Sequence, residues 1–248
     1  MPRMSGDFPH LSKAPIVEAV IDIRIRSGKK WVNKRVKSAL QKELPDYPIV
    51  EEQRRFMTEF TADPKQAPRT EIKDLGLIGF LFRTEDKLNV AQFQKEGYVF
   101  SRLKPYQDWD LFVKEAHRLW GIFCKVILPK EISRLGVRFI NRIEASPGEK
   151  MDNYLINAPK PPSGFDWPFN NFFHRDVFNI PDEPYRVNYI RVLETPKEQT
   201  NFIIDIDVYI MKSLEPEQIW NEHLDRIRYY KNKVFFGSIN KNLMEKMK

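Results

Sequence analysis

The chain of 248 residues carries 41 Lys and Arg against 34 Asp and Glu, a formal net charge of +7, with 42% hydrophobic and 13% aromatic residues. That is ample material for a buried core, so wholesale disorder is excluded. No apolar run approaches the ~20 residues of a bilayer span. The polar Met1 to His10 segment does not read as a secretory signal, and a single cysteine, Cys124, points to the cytoplasm.

The first element is a half-buried strand. Ala19, Ile21, Ile23 and Ile25 alternate with Val20, Asp22 and Arg24, the period-two pattern of a sheet with one apolar face. Ser27-Gly28 breaks it. Trp31, Val32, Val36, Ala39, Leu40 and Leu44 then recur at helical spacing up to Pro45. Three strand-like runs follow, Arg54 to Ala62, Leu77 to Arg83 and Leu88 to Leu103, the last with a bend or tight turn near Glu96-Gly97. Asp63 to Asp74 between the first two reads as a charged, proline-containing loop. A second helix runs from about Asp108, with Trp109, Phe112, Ala116, Leu119, Trp120, Phe123 and Ile127 forming a wide apolar stripe, and Pro129 stops it.

From Ile132 the series starts again. Ile132 to Ile143 is a strand, and a short helical stretch, Met151 to Ile156, stands where the first half has its longer helix. Ala158 to Phe169, with Pro159, Pro161, Pro162 and Pro168, is the longest irregular segment. Phe172 to Ile180, Tyr185 to Leu193 and Asn201 to Ile210 are strands. The final helix has Pro216 in its first turn and a stripe of Ile219, Trp220, Leu224, Ile227, Val234, Phe235 and Ile239. Residues 16–127 and 132–240 thus read as two β-α-β-β-β-α halves, each closing on a Trp-led helix. The likeness lies in pattern, with little identity beyond those helices. The expected fold is α+β: one domain over residues 1–248, a large mostly antiparallel sheet, and helices on one face.

Lys13-Ala14-Pro15-Ile16-Val17-Glu18-Ala19, Ser101-Arg102-Leu103-Lys104-Pro105-Tyr106 followed by Trp109, and Arg134 to Ile143 (RLGVRFINRI) together carry a resemblance. The chain resembles a sporadically distributed prokaryotic protein family of unknown function, over its length from Leu11 to the closing helix. That resemblance implies no particular activity, and it is compatible with a mobile-element, defence or toxin-antitoxin setting. The same stretches also admit structural readings. Pro15 fixes the entry of a strand, Pro105 and Tyr106 feed a helix, and Arg134, Arg138 and Arg142 pair with acids on one sheet face.

Charge is unevenly placed. Arg24 to Lys42 carries +8 and Arg226 to Lys248 carries +6, leaving −7 on the remainder. Such clustering focuses a field on an anionic partner, though lysine-rich helix faces are also common as plain solvated surface. Lys30, Lys34 and Lys37 share one face of the expected first helix and are the anion-binding candidates, with nucleic acid, through non-specific phosphate contacts, one candidate partner and an acidic protein another.

No Walker lysine loop and no glycine-rich dinucleotide turn is present. His10, His117, His174 and His223 are scattered, Cys124 sits beside an apolar stripe, and structural zinc has too few ligands. No cofactor or metal is therefore expected. Asp205 and Asp207 share a strand face, as do Asp22 and Arg24, and Arg138 and Arg142. On neighbouring strands these six side chains would meet on the open side of the sheet. Either they form cross-strand ion pairs, each contributing about 0.2–1 kcal/mol, or they hold a ligand. The expected function is a non-catalytic binding or regulatory protein. A metal-dependent enzyme on a phosphorylated or nucleotide substrate is one alternative, and non-specific nucleic-acid binding through the basic helices is another.

Overall fold

The computed structural model describes residues 8–27, 30–61, 69–145, 149–164, 167, 169–194, 200–215 and 218–248. Gly28, Pro168 and Pro216, named above as chain breakers or starters, lie outside the described residues.

The described strands form one antiparallel sheet. They are β1 (Ile16–Ser27), β2 (Ile49–Thr61), β3 (Arg69–Arg83), β4 (Asn89–Gln94), β5 (Gly97–Leu103), β6 (Pro129–Ala145), β7 (Phe172–Asn179), β8 (Tyr185–Glu194) and β9 (Thr200–Ile210). Their order across the sheet is β2-β3-β4-β5-β1-β6-β9-β8-β7. The strands that open the two halves, β1 and β6, pair at the centre, with Ile21 opposite Val137 and Asp22 opposite Gly136. On either side the chain goes out to an edge and winds back, ending beside its own opening strand.

The winding is shared by both halves, but the elements are not. The run from Leu88 to Leu103 is two strands, closed by a two-residue turn at Lys95-Glu96 in which Gln94 faces Gly97. Among the described residues the first half therefore has five strands and the second has four. Where the first half has helix α1 (Asn33–Glu43), the second has only a 3-10 turn at Met151–Asn153. The expected loop from Asp63 also differs, because Arg69 to Asp74 belongs to β3 and pairs with β2 out to Thr61.

Among the described residues four helices cover one face: α1, α2 (Trp109–Ile127), α3 (Leu224–Ser238) and a short α4 (Lys241–Met247). α2 begins where the Asp108 carboxylate accepts from the Leu111 amide at 2.8 Å, satisfying an otherwise orphaned donor. It ends at Leu128 in left-handed conformation, φ +52°. A π-turn, Ile219–His223, precedes α3. The core lies between helices and sheet. Ala19, Ile21, Ile23 and Ile25 of β1 are buried, as are Leu135, Val137 and Phe139 of β6 and Phe202, Ile204, Ile206 and Val208 of β9. Rings of Trp109, Phe112 and Tyr106 pack against Phe139 across the central seam. The N-terminal segment is tied to the C-terminus, since the Lys13 amide donates to the Met247 carbonyl at 3.0 Å. Among the described residues, no helix is long and apolar enough to cross a membrane.

Candidate functional site

Two concavities lie on opposite faces of the sheet, and their electrostatics differ. The first is on the open face, where the alternating residues of β1, β6 and β9 point away from the helices. It is a depression of about 290 Å³ lined by Asp22, Arg24, Gln92, Gln94, Arg134, Asp207 and their neighbours. Arg24 reaches Asp22 at 2.9 Å and Gln94 at 3.1 Å. Arg134 lies across β6 and donates to Asp22 at 3.1 Å and to Asp207 at 2.8 Å. It can do so because residue 136 is glycine: a Cβ there would stand 2.6 Å from the Arg134 guanidinium. Tyr209 stacks on the same guanidinium at 4.9 Å. Arg138 grips the buried Asp205 through two nitrogens, the fork-to-carboxylate arrangement that fixes geometry as well as charge.

Of the six residues expected to meet, Asp22, Arg24 and Asp207 share one network through Arg134. Arg138 with Asp205 is a separate pair one step along the sheet. Arg142 stands apart, bonded to Glu194 at 2.8 Å. The carboxylates are thus already held by guanidinium groups. Burial, with Asp22 and Asp205 nearby, pushes the Asp207 carboxyl up to about 6, and Arg134 offsets only part of this.

The anion-binding candidates do not form one helical stripe. α1 begins at Asn33, so Lys30 precedes it. Lys34 is exposed, whereas Lys37 turns inward to Glu52 at 3.6 Å and lies 5.8 Å over the Phe80 ring. The reason is that α1 buries Val36 and Leu40, and Lys37 flanks that face.

The second concavity is on the helix side, has a volume of about 370 Å³ and is half open to solvent. All three sequence stretches singled out above contribute to its wall: Lys13 to Ile16, Lys104 to Trp109, and Asn141. The remainder comes from the segment Phe8 to Ser12 and from α3, through Arg228, Lys231, Asn232, Phe235 and Phe236. Lys231 extends over the sheet with its amine 4.0 Å above the centre of the Phe139 ring. Part of the side chain is accessible through the cavity, yet the amine lies deep among protein atoms. Among the described residues it makes no ion pair and no hydrogen bond. Burial, reinforced by the Arg228 charge, brings its pKa down to about 7. Arg228, one turn earlier on the same helix face, holds its guanidinium 5.4 Å over the Trp109 ring and has no carboxylate partner among the described residues. The one acid in the wall, Asp108, is engaged in capping α2.

Lys231 does have a signal in the sequence. Ile227, Lys231 and Phe235 are spaced by four, so a cation occupies the middle of the apolar stripe of α3. Counting it only within the basic tail hid that placement. Tyr185 and His223 form a further, half-buried pair, with Oη and Nδ1 at 2.7 Å. Cys124 is half-buried, and burial pushes its thiol up to about 11, which leaves it a poor nucleophile.

No protein-family model matches the chain, and no curated protein does either.

Proposed function

We propose that this chain is a binding protein of regulatory type that takes a small anionic ligand into the helix-side cavity, with Arg228 and Lys231 as the anion-facing groups. The observation that carries this reading is the contrast between the two faces. On the open face every arginine of the cluster contacts a carboxylate, which supports a structural ion-pair network. In the helix-side cavity the exposed Arg228 and the half-buried Lys231 have no acid against them among the described residues. A partly desolvated amine without a counter-charge is costly, and an entering anion relieves that cost. Metal binding at Asp205 and Asp207 would compete with Arg138 and Arg134, so the enzyme alternative has less support. The resemblance to a sporadically distributed prokaryotic family, and with it a defence or mobile-element setting in the cytoplasm, fits a ligand-sensing role.

Calorimetric titration with L-lactate, a small carboxylate, tests the reading. Lactate should bind more tightly at pH 6 than at pH 8, because Lys231 gains its proton across that range. Arg228→Met and Lys231→Met should each weaken binding at least tenfold. Affinity unchanged by both substitutions would overturn the assignment.

A further inference from the structure

Resting on that reading, we infer that Lys231 captures its ligand covalently, as a reversible imine with a small 2-oxo acid. Three features of the cavity converge on this chemistry. The first is an amine presented free: Lys231 Nζ stands above an aromatic ring, not against a carboxylate, so its lone pair is not tied up in an ion pair once the proton is lost. Desolvated lysines next to a second cation are the ones that serve as amine nucleophiles near neutral pH, and Arg228 supplies that second cation.

The second feature is a neighbouring anchor. Arg228 and Lys231 lie three apart on α3, hence on one helix face, and Arg228 is braced over Trp109. A guanidinium holding a carboxylate leaves the adjacent carbonyl carbon free to face the neighbouring amine, which is the arrangement a 2-oxo acid requires and a simple ketone lacks. The third feature is size. The cavity of about 370 Å³ falls in the range of about 300–1,000 Å³ usual for small-ligand sites. Its wall contains Phe235, Phe236, Trp109 and Tyr106. Burial raises the Tyr106 phenol well above its ordinary value, so it remains an O–H donor on the wall.

The balance is simple. The Lys231 amine attacks the carbonyl carbon, forming a C–N bond, and a proton moves from nitrogen to oxygen to give the carbinolamine. The carbinolamine then loses its hydroxyl, with a further proton, as one water, leaving C=N in place of C=O. No oxidant or reductant takes part, and hydrolysis reverses each step.

The test is reductive trapping on the intact chain with pyruvate and cyanoborohydride, followed by intact mass and peptide mapping. The expected result is a single carboxyethyl group on Lys231, forming faster as pH rises from 5 to 7 and levelling above. Lys231→Arg should lose that modification, and Arg228→Met should slow it at least tenfold. Acetone, which has no carboxylate, should be trapped far less. Modification scattered over surface lysines with Lys231 spared overturns the imine, and so does an Arg228→Met rate equal to that of the unaltered chain. Peptide mapping of the unaltered chain decides the matter even if the Lys231 variant fails to fold. Lactate separates this proposal from the one beneath it. Lactate binding without pyruvate trapping leaves the anion site standing and removes the imine, whereas failure of both removes the site.

Discussion

Two half-buried ionisable side chains set opposite pH dependences. Asp207 has its carboxyl raised to about 6, above the value of ~4 expected in an unfolded chain. The folded state therefore binds the extra proton first, and its stability relative to the unfolded state increases as pH falls from 6 towards 4. Comparing the native chain with Asp207→Asn by urea denaturation should show the native chain gaining on the variant by about 1–3 kcal/mol between pH 7 and pH 4. A pH-independent difference would mean that Arg134 fully compensates the charge. Lys231 works the other way. Its folded pKa of about 7 lies below the ordinary ~10.5, so between those values the unfolded chain binds more protons and stability rises with pH. Lys231→Met should be the more stable protein at pH 6, by an amount on the order of a few kcal/mol. That advantage should shrink as pH climbs from 7 to 10. Gly136 has a steric role, not one of backbone freedom. Gly136→Ala pushes the Arg134 guanidinium from its seat between Asp22 and Asp207.

At the scale of elements, the strands that bury one face were legible and the departures have local causes. β1, β6, β8 and β9 fell close to their expected bounds because isoleucine, valine and phenylalanine alternate cleanly there. The β4–β5 hairpin was legible only as a bend or tight turn near Glu96-Gly97, because Lys95-Glu96 carries no Asn-Gly or Asp-Gly signature and apolar residues continue on both sides. Gly97 is the residue that betrays it in space, since a Cβ would meet the Ile23 carbonyl of β1 at 2.6 Å. The outer half of the β2–β3 hairpin has no buried face to print a pattern: Phe56, Phe60, Ile72 and Leu75 are all exposed. The open-face ion pairs were legible as residues but not as partners, because Arg134 pairs diagonally and only the register reveals it. The cavity was not legible, because its wall is assembled from segments far apart in the chain. The hairpin arm gives a direct check. Phe60→Thr and Ile72→Thr should each shift stability by no more than about 0.5 kcal/mol, as unpacked surface positions do. Phe139→Ala, which removes the ring beneath Lys231, Trp109 and Tyr106, should cost about 3–5 kcal/mol. Equal effects would show that the arm is packed in solution.

For the whole molecule, the decisive feature is that the seam between the two halves is also the centre of the core. β1 and β6 pair along most of their length, and each half places aromatic side chains over the other. Tyr106 and Trp109 from the first half rest on Phe139 of the second, while Arg228 of the second half covers Trp109 of the first. Cutting between α2 and β6 exposes two central strand edges at once, together with the apolar undersides of α2 and α3. Unpaired central edges of that length favour aggregation over folding. The shared winding of the two halves does not, on this argument, make either one a folding unit. Fragments 16–127 and 132–240, expressed separately, should lack cooperative melting and be recovered insoluble, and the intact chain should unfold in one transition. Tryptophan fluorescence follows chiefly α2 and its surroundings, whereas far-UV circular dichroism follows the whole sheet, so coincident midpoints are the expected outcome. Separate midpoints, or a soluble and cooperatively melting fragment, would mean that the seam contributes less than its central position implies. The helix-side cavity, which draws on both halves, would then open whenever either half unfolds.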